Sequence, residues 1–178
     1  AAASVAQREL MELPLETRRS MIAAMRRVVL EKNESLSADA VAETGLGDTT
    51  DKMVKNALAA SRTPGVEDLV PAACTDEHGL TLTERAPWGV IGAITPVTNP
   101  IATITSNGIG MIAAGNSVVF NVHPGAKSVS CRLVELLNAA IIAEGGPENL
   151  LCAIGEPSIE SAGALMKHPG VALLVVTG

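Results

Sequence analysis

Pro87-Trp88-Gly89-Val90-Ile91-Gly92-Ala93-Ile94-Thr95-Pro96-Val97-Thr98-Asn99-Pro100 decides the fold, read with its continuation Gly115-Asn116-Ser117-Val118-Val119-Phe120-Asn121-Val122-His123-Pro124. The apolar run Val90–Ile94 predicts a buried strand, and Thr95 to Asn99 a polar turn. Asn99-Pro100 marks a helix start, with Asn as N-cap and Pro at the first helical position. Gly115-Asn116 ends that helix. A second run, Ser117–Phe120, then closes in the polar loop Asn121 to His123. This is a βαβ unit in outline. Open parallel sheets hold ligands beyond the carboxyl ends of their strands, so the two polar clusters predict a nucleotide-like cofactor at that edge.

Further apolar runs occur at Leu150–Ile154 and Val171–Val176. Helix-spaced residues lie between the runs: Ile101, Ile104, Met111 and Ile112, then Val129, Leu133, Leu136, Leu137 and Ala140. Connections of roughly 20 to 30 residues suit crossovers rather than hairpins. Residues 87–178 therefore read as a dinucleotide-binding α/β region, a doubly wound, mainly parallel Rossmann-like sheet. Residues 63–86 carry turn signals at Pro64-Gly65 and Asp76 to Gly79, then alternate from Gly79 to Arg85, which predicts a β-hairpin. Residues 1–62 read as a helical lead-in. Leu15, Arg18, Ile22, Met25 and Val29 form an amphipathic stripe. Ser37 or Asp39 is expected to cap a short helix stopping at Thr44-Gly45, and Asp51 to Ala60 to form another. The basic residues Arg8, Arg18, Arg19, Arg26, Arg27 and Lys32 read as a solvated helix face.

Composition narrows the function. The 178 residues are 47% hydrophobic, with one Trp, one Phe and no Tyr, so the core must be aliphatic. Few aromatics and a net charge of −6 argue against a nucleic-acid partner. Ala86 to Ala126 has no Asp, Glu, Lys or Arg, but Pro96, Asn99, Pro100, Asn107 and Asn116 break every apolar span of the ~20 residues that a membrane helix needs. Buried sheet is the reading, and no membrane partner. Cys74, Cys131 and Cys152 lack metal-ligand or Cys-x-x-Cys spacing, and Cys131 and Cys152 read as packing residues. An odd cysteine count points to a reducing compartment. The scattered His78, His123 and His168 assemble no metal site.

Individual positions leave alternatives open. Asn99 either only caps its helix or turns its amide into the cleft to donate to a developing oxyanion. His123, beside Asn121 on the cofactor edge, is either a surface residue or a contact to a ribose or adenine. Gly108-Ile109-Gly110-Met111-Ile112-Ala113 matches G-x-G-x-x-A, but late in a helix, so it reads as close helix–sheet packing and not as a dinucleotide loop. Thr177-Gly178 is a third strand end on the same edge, placed to begin a phosphate-contacting turn.

Taken together, Glu43-Thr44-Gly45-Leu46-Gly47, Pro87 to Gly92, Thr95 to Pro100, Ala114 to Asn121 with His123-Pro124, and Val176-Thr177-Gly178 resemble the amino-terminal part of the aldehyde dehydrogenase superfamily. The resemblance is closest to its coenzyme A-acylating branch, the acetaldehyde and propionaldehyde dehydrogenases of ethanolamine and propanediol breakdown. It implies oxidation of a small aliphatic aldehyde with NAD through a thiohemiacetal on a catalytic Cys, followed by acyl transfer to coenzyme A. By position it implies that Thr95, Pro96, Val97 and Thr98 line the nicotinamide-side ribose. Asn121, His123 and Pro124 face the adenosine end of NAD or coenzyme A, and Thr177 and Gly178 begin the turn near the pyrophosphate. Asn99 is the implied oxyanion donor, although a gap-free alignment with hydrolytic members puts Thr98 there.

Two departures accompany the resemblance. Hydrolytic members carry Lys and then an acidic residue in the loop after the second strand, where this chain has Asn121-Val122-His123-Pro124. That favours the acylating branch and leaves NAD versus NADP open. The family's nucleophilic Cys lies in a following catalytic domain, and none of the three cysteines sits in a matching motif. The expectation is a fragment of a longer enzyme, inactive alone, without the catalytic domain and oligomerisation strand. The family implies a homodimer or tetramer in the cytoplasm or in a bacterial microcompartment, with the shell as a partner. The competing readings are a hydrolytic aldehyde dehydrogenase and a non-catalytic nucleotide- or coenzyme A-binding module.

Overall fold

The first 62 residues form four helices, α1 (Ala2–Glu12), α2 (Leu15–Glu31), α3 (Asn33–Thr44) and α4 (Thr49–Arg62), in a computed structural model that describes residues 1–178. Pro14 separates the first two, since it supplies no N–H to continue a helix. The α2 stripe buries Arg18, Met21, Ile22, Met25 and Val29, whereas the expected Leu15 is exposed at its start.

The third helix begins at Asn33, and neither Ser37 nor Asp39 caps it. Ser37 is buried in mid-helix, where its Oγ donates to Asn33 Oδ1 at 3.2 Å and accepts from Asn56 Nδ2 at 3.0 Å. Asn33 Nδ2 donates to the Met53 carbonyl at 2.8 Å. Asn33 on its own helix and Asn56 on α4 satisfy Ser37, so its preference for a helix end is overridden. Asp48 caps α4 through the N–H groups of Thr50 and Asp51 at 2.7 and 3.3 Å, which starts that helix ahead of the expected Asp51.

The basic face is also revised. Arg18 is 8% exposed and donates to the Ala113 carbonyl at 3.0 Å. Arg26 donates to the carbonyls of Ala60 and Thr63, each at 2.7 Å. Both guanidinium groups satisfy carbonyls left free at helix ends, a need that charge patterning does not reveal.

Residues 72–83 form the hairpin of β1 (Ala72–Asp76) and β2 (Gly79–Thr83), antiparallel with Ala72 opposite Thr83. Every residue of it is exposed, Leu80 and Leu82 included.

The main sheet holds β3 (Val90–Ile94), β4 (Ser117–Asn121), β5 (Leu151–Ala153) and β6 (Leu173–Val176), all parallel and ordered β5-β4-β3-β6. The crossovers are α5 (Pro100–Ala113), α6 (Lys127–Ala143) and α7 (Ile159–Lys167). The chain steps outward from β3 through β4 to β5, then returns to the far side of β3 as β6. That reversal creates a switch point beside the carboxyl end of β3. The outer strands are shorter than their apolar runs because each ladders against a single neighbour.

Strand alternation buries Ile91, Ala93, Val118 and Phe120, and the last three lie within a core cluster that also takes in Met21, Met25 and Ile104. Full burial of the larger of these, Ile91, Val118 and Phe120, contributes about 1.5–3 kcal/mol each. Gly92 sits on the opposite face, where an added Cβ would lie 3.0 Å from Leu174 and 3.2 Å from both Leu165 and Val171. Its missing side chain lets α7 and β6 close on β3. Gly108 packs against Met25 and Leu151 as expected, but Gly110 meets nothing within 4 Å, so only half of the small-residue reading applies.

Gly115 ends α5 at φ +83°, with its N–H on the Ile112 carbonyl and the Asn116 N–H on the Met111 carbonyl, both at 2.9 Å. Asn116 then ties three elements together. Its Oδ1 accepts from Trp88 N at 2.7 Å and Gly89 N at 3.0 Å, and its Nδ2 donates to the Met111 carbonyl at 3.1 Å.

Candidate functional site at the carboxyl edge of the sheet

Parallel pairing brings the three predicted loops to one edge. Thr95 N–H reaches the Asn121 carbonyl at 3.3 Å, and Thr177 N–H reaches the Ile94 carbonyl at 3.0 Å. A Cβ on Gly178 would lie 3.5 Å from Pro96 Cβ, and one on Gly125 would lie 3.6 Å from Val97 Cγ2. A fourth loop, residues 154–158, joins them through an ion pair of Lys127 Nζ with Glu156 Oε1 at 2.5 Å. Sequence reasoning missed this loop. Its signal was Ser158 followed three residues later by Ser161, which form a reciprocal capping box at the start of α7.

The side chains at this edge differ in reach. Thr95 is 2% exposed, and its Oγ1 is buried without a partner, so it lies beneath the surface it was expected to line. The reason is strand alternation, which continues one residue past β3 and turns Thr95 inward. Pro96 and Val97 are half-buried and Thr98 is exposed. Asn121 is 4% exposed and accepts from Ser161 Oγ at 2.6 Å through Oδ1, while its Nδ2 donates to no group of the chain. His123 is exposed, and its Nδ1 accepts from Gly125 N at 3.0 Å. In the neutral ring the proton therefore sits on Nε2, so the imidazole offers an outward donor. Pro124 is exposed and opens a short 3₁₀ turn before α6.

Asn99 stands at the N-cap position of α5, yet its side chain makes no capping bond. Oδ1 accepts instead from Lys55 Nζ at 2.8 Å, and Nδ2 approaches Thr98 Oγ1 at 3.4 Å. Lys52 Nζ donates to the Thr98 carbonyl at 3.1 Å. The N–H groups of Val97, Thr98 and Asn99 make no hydrogen bond within the chain. They lie at the positive end of the α5 dipole, which favours negative charge. The two lysines were also missed. Their i, i+3 spacing on α4 was the available signal, but the sequence does not reveal which loop that face meets.

Burial, reinforced by Lys55, pushes the Lys52 pKa down. A groove of about 430 Å³ runs from Asn99 between α4 and α5, lined among others by Leu58, Arg62, Thr103 and Ser106. On the other side of the site, Glu43 accepts from Ser128 N at 2.7 Å and Val129 N at 2.8 Å, which caps α6 from α3.

No nucleophile is built here. Burial pushes both the Cys131 and Cys152 thiols up, with Glu135 adding to the effect at Cys131, and a thiol held protonated attacks poorly. Cys74 lies in the exposed hairpin. His78 and His168 are exposed, and no cluster of His, Cys, Asp or Glu is arranged to hold a metal ion. No helix is long and apolar enough to cross a membrane.

Acetaldehyde dehydrogenase (acetylating) EutE of Escherichia coli is 52% identical over 178 residues, covering 100% of this chain and 38% of that protein. The crystal structure of Rhodopseudomonas palustris propionaldehyde dehydrogenase with bound CoA and an acylated cysteine superposes with a TM-score of 0.96 at 49% identity, over 99% of this chain and 41% of that one. An engineered glycolyl-CoA reductase with bound NADP+ matches with a TM-score of 0.96 at 47% identity, over 99% of this chain and 41% of that one. The chain thus spans about two fifths of the length of these relatives. The model of the aldehyde dehydrogenase family matches residues 1–178 from end to end, and the chain belongs to that family.

Proposed function

We propose that this chain supplies the dinucleotide- and coenzyme A-binding part of a coenzyme A-acylating aldehyde dehydrogenase, which converts a short aliphatic aldehyde, CoA and NAD to acyl-CoA and NADH. The observation that carries the reading is the convergence of the β3, β4, β5 and β6 loops at the switch point of a parallel sheet. Its support is the kinship with EutE and with a propionaldehyde dehydrogenase that binds CoA.

The residues present fit such ligands. Val97 and Thr98 offer free N–H groups at the end of β3, suited to the oxygens of a ribose. Asn121 Nδ2 and His123 Nε2 are donors without partners in the chain, suited to an adenosine, and Pro124 adds an apolar edge. Thr177 and Gly178, close to Pro96, border the pyrophosphate. Glu156 on the β5 loop, paired with Lys127, offers a carboxylate suited to a free ribose hydroxyl and repellent to a 2′-phosphate, which favours NAD. When bound, the dinucleotide accepts hydride and CoA accepts the acyl group.

Asn99, in this reading, is a catalytic residue whose Nδ2 donates to the oxyanion that forms when a thiolate from outside this chain attacks the aldehyde. Donors aimed where charge develops contribute on the order of 10²–10³ in rate.

The test is NADH absorbance with the intact enzyme, propionaldehyde and NAD, with and without CoA. Turnover that requires CoA supports the acylating reading. Equal turnover without it means that water takes the acyl group, and the assignment of Asn121 and His123 to a shared NAD and CoA site is wrong.

A further inference from the structure

The α4 helix holds the β3–α5 loop with two ammonium groups and no carboxylate. Lys52 is 7% exposed, and Nζ reaches only the Thr98 main-chain carbonyl; Lys55 Nζ reaches Asn99 Oδ1. Neither lysine belongs to any ion pair of the chain. A buried ammonium with a carbonyl as its single partner is costly, because burial penalises charge that is not paired. Such an arrangement is not what stability alone would select beside a loop of the candidate site.

We infer that Lys55 is a positioning residue for the Asn99 amide, an inference that rests on the reading of Asn99 as oxyanion donor. An ammonium has three donors and no acceptor, so only the amide oxygen can face it. The contact therefore settles which way the amide points. Oδ1 turns toward α4, and Nδ2 turns away, with one hydrogen toward Thr98 Oγ1 at 3.4 Å and the other free to donate. A cation on Oδ1 also polarises the amide, which makes the N–H the stronger donor. Lys52 fixes the preceding carbonyl, so the loop cannot swing when Lys55 pulls on the side chain. The orienting group is thus on a helix that shares no sequence motif with the loop it orients.

The experiment is steady-state kinetics of the intact enzyme with Lys55→Met, Lys55→Arg, Asn99→Ala and the Lys55→Met/Asn99→Ala pair. Lys55 is exposed, so its substitution leaves the fold in place, and thermal melting of each variant checks that. Lys55→Met is expected to lower kcat about tenfold, a fraction of the loss for removing the donor itself, with the KM for NAD and aldehyde within about twofold. Lys55→Arg, which keeps a cationic donor, is expected to recover most of the rate. In the Asn99→Ala background, Lys55→Met should cost nothing further, because its effect passes through Asn99. An unchanged kcat for Asn99→Ala refutes the oxyanion reading and the inference with it. A large loss for Asn99→Ala with kcat of Lys55→Met within about threefold of wild type refutes the inference alone, as does full additivity in the pair.

Discussion

Glu43 offers the sharpest test of how the helical segment supports the site. Its two carboxylate oxygens take the N–H groups of Ser128 and Val129 at 2.7 and 2.8 Å, at the first turn of α6. That turn follows His123-Pro124 directly, so the contact anchors one wall of the proposed adenosine site. Removing the carboxylate in Glu43→Ala exposes both donors to water, so the loss follows the N-cap scale of about 0.5–2 kcal/mol rather than that of an orphaned buried group. Loss of the negative charge at the dipole adds about 0.3–1 kcal/mol. The expected sum is about 2 kcal/mol. Glu43→Gln keeps the shape and one acceptor but neither the second acceptor nor the charge, so it should cost about 1 kcal/mol. Urea unfolding measures the total, and amide exchange localises it, with protection at Ser128 and Val129 falling about thirtyfold in Glu43→Ala if opening is local. A loss below about 0.5 kcal/mol with unchanged exchange would show that the contact stabilises nothing. Equal losses for Ala and Gln would show that the one acceptor Gln keeps contributes nothing, and that the charge and the second acceptor carry the effect.

Two further outcomes are expected. Asn116→Ala leaves the Trp88 and Gly89 N–H groups without their side-chain partner, while the Met111 carbonyl keeps the main-chain N–H of residue 116, and should cost about 2 kcal/mol; urea unfolding measures the loss, and unchanged stability refutes the role. Alkaline stability should fall because the folded state holds the Cys131 and Cys152 thiols protonated above their ordinary pKa of 9.0. Between that value and the folded pKa the unfolded chain has released protons that the folded chain keeps, so stability is whole below pH 9 and declines above it. Each thiol contributes a slope of up to about 1.4 kcal/mol per pH unit. Lys52, whose pKa is lowered, pulls the other way as pH rises, so the diagnostic quantity is the slope lost in Cys152→Ala. An unchanged slope in that variant would contradict the burial argument.

The α/β class and the place of the site were legible in the sequence because both depend on local patterns. Unbroken apolar runs such as Val90–Ile94 mark strands covered on both faces, and long helix-spaced connections force a parallel arrangement. A parallel sheet then puts its loops on one edge, so Thr95 to Asn99, Asn121 to His123 and Thr177-Gly178 could be grouped before their distances were known. Asn99-Pro100 and Gly115-Asn116 marked the ends of α5 for the same reason, since helix termini have their own chemistry.

Tertiary structure decided what each of those side chains does. Asn99 occupies the cap position but gives its oxygen to Lys55, more than forty residues away in the chain. Thr95 was grouped with its neighbours by sequence and separated from them by the pleat, which buries its hydroxyl. Ser37 looked like a helix start and became an interior link to Asn56. Arg18 looked solvated and serves the Ala113 carbonyl. Periodicity records which face of an element is apolar, because that is a property of neighbours three, four or two positions apart. Which polar group meets which is a property of packing between distant segments, and no local pattern carries it.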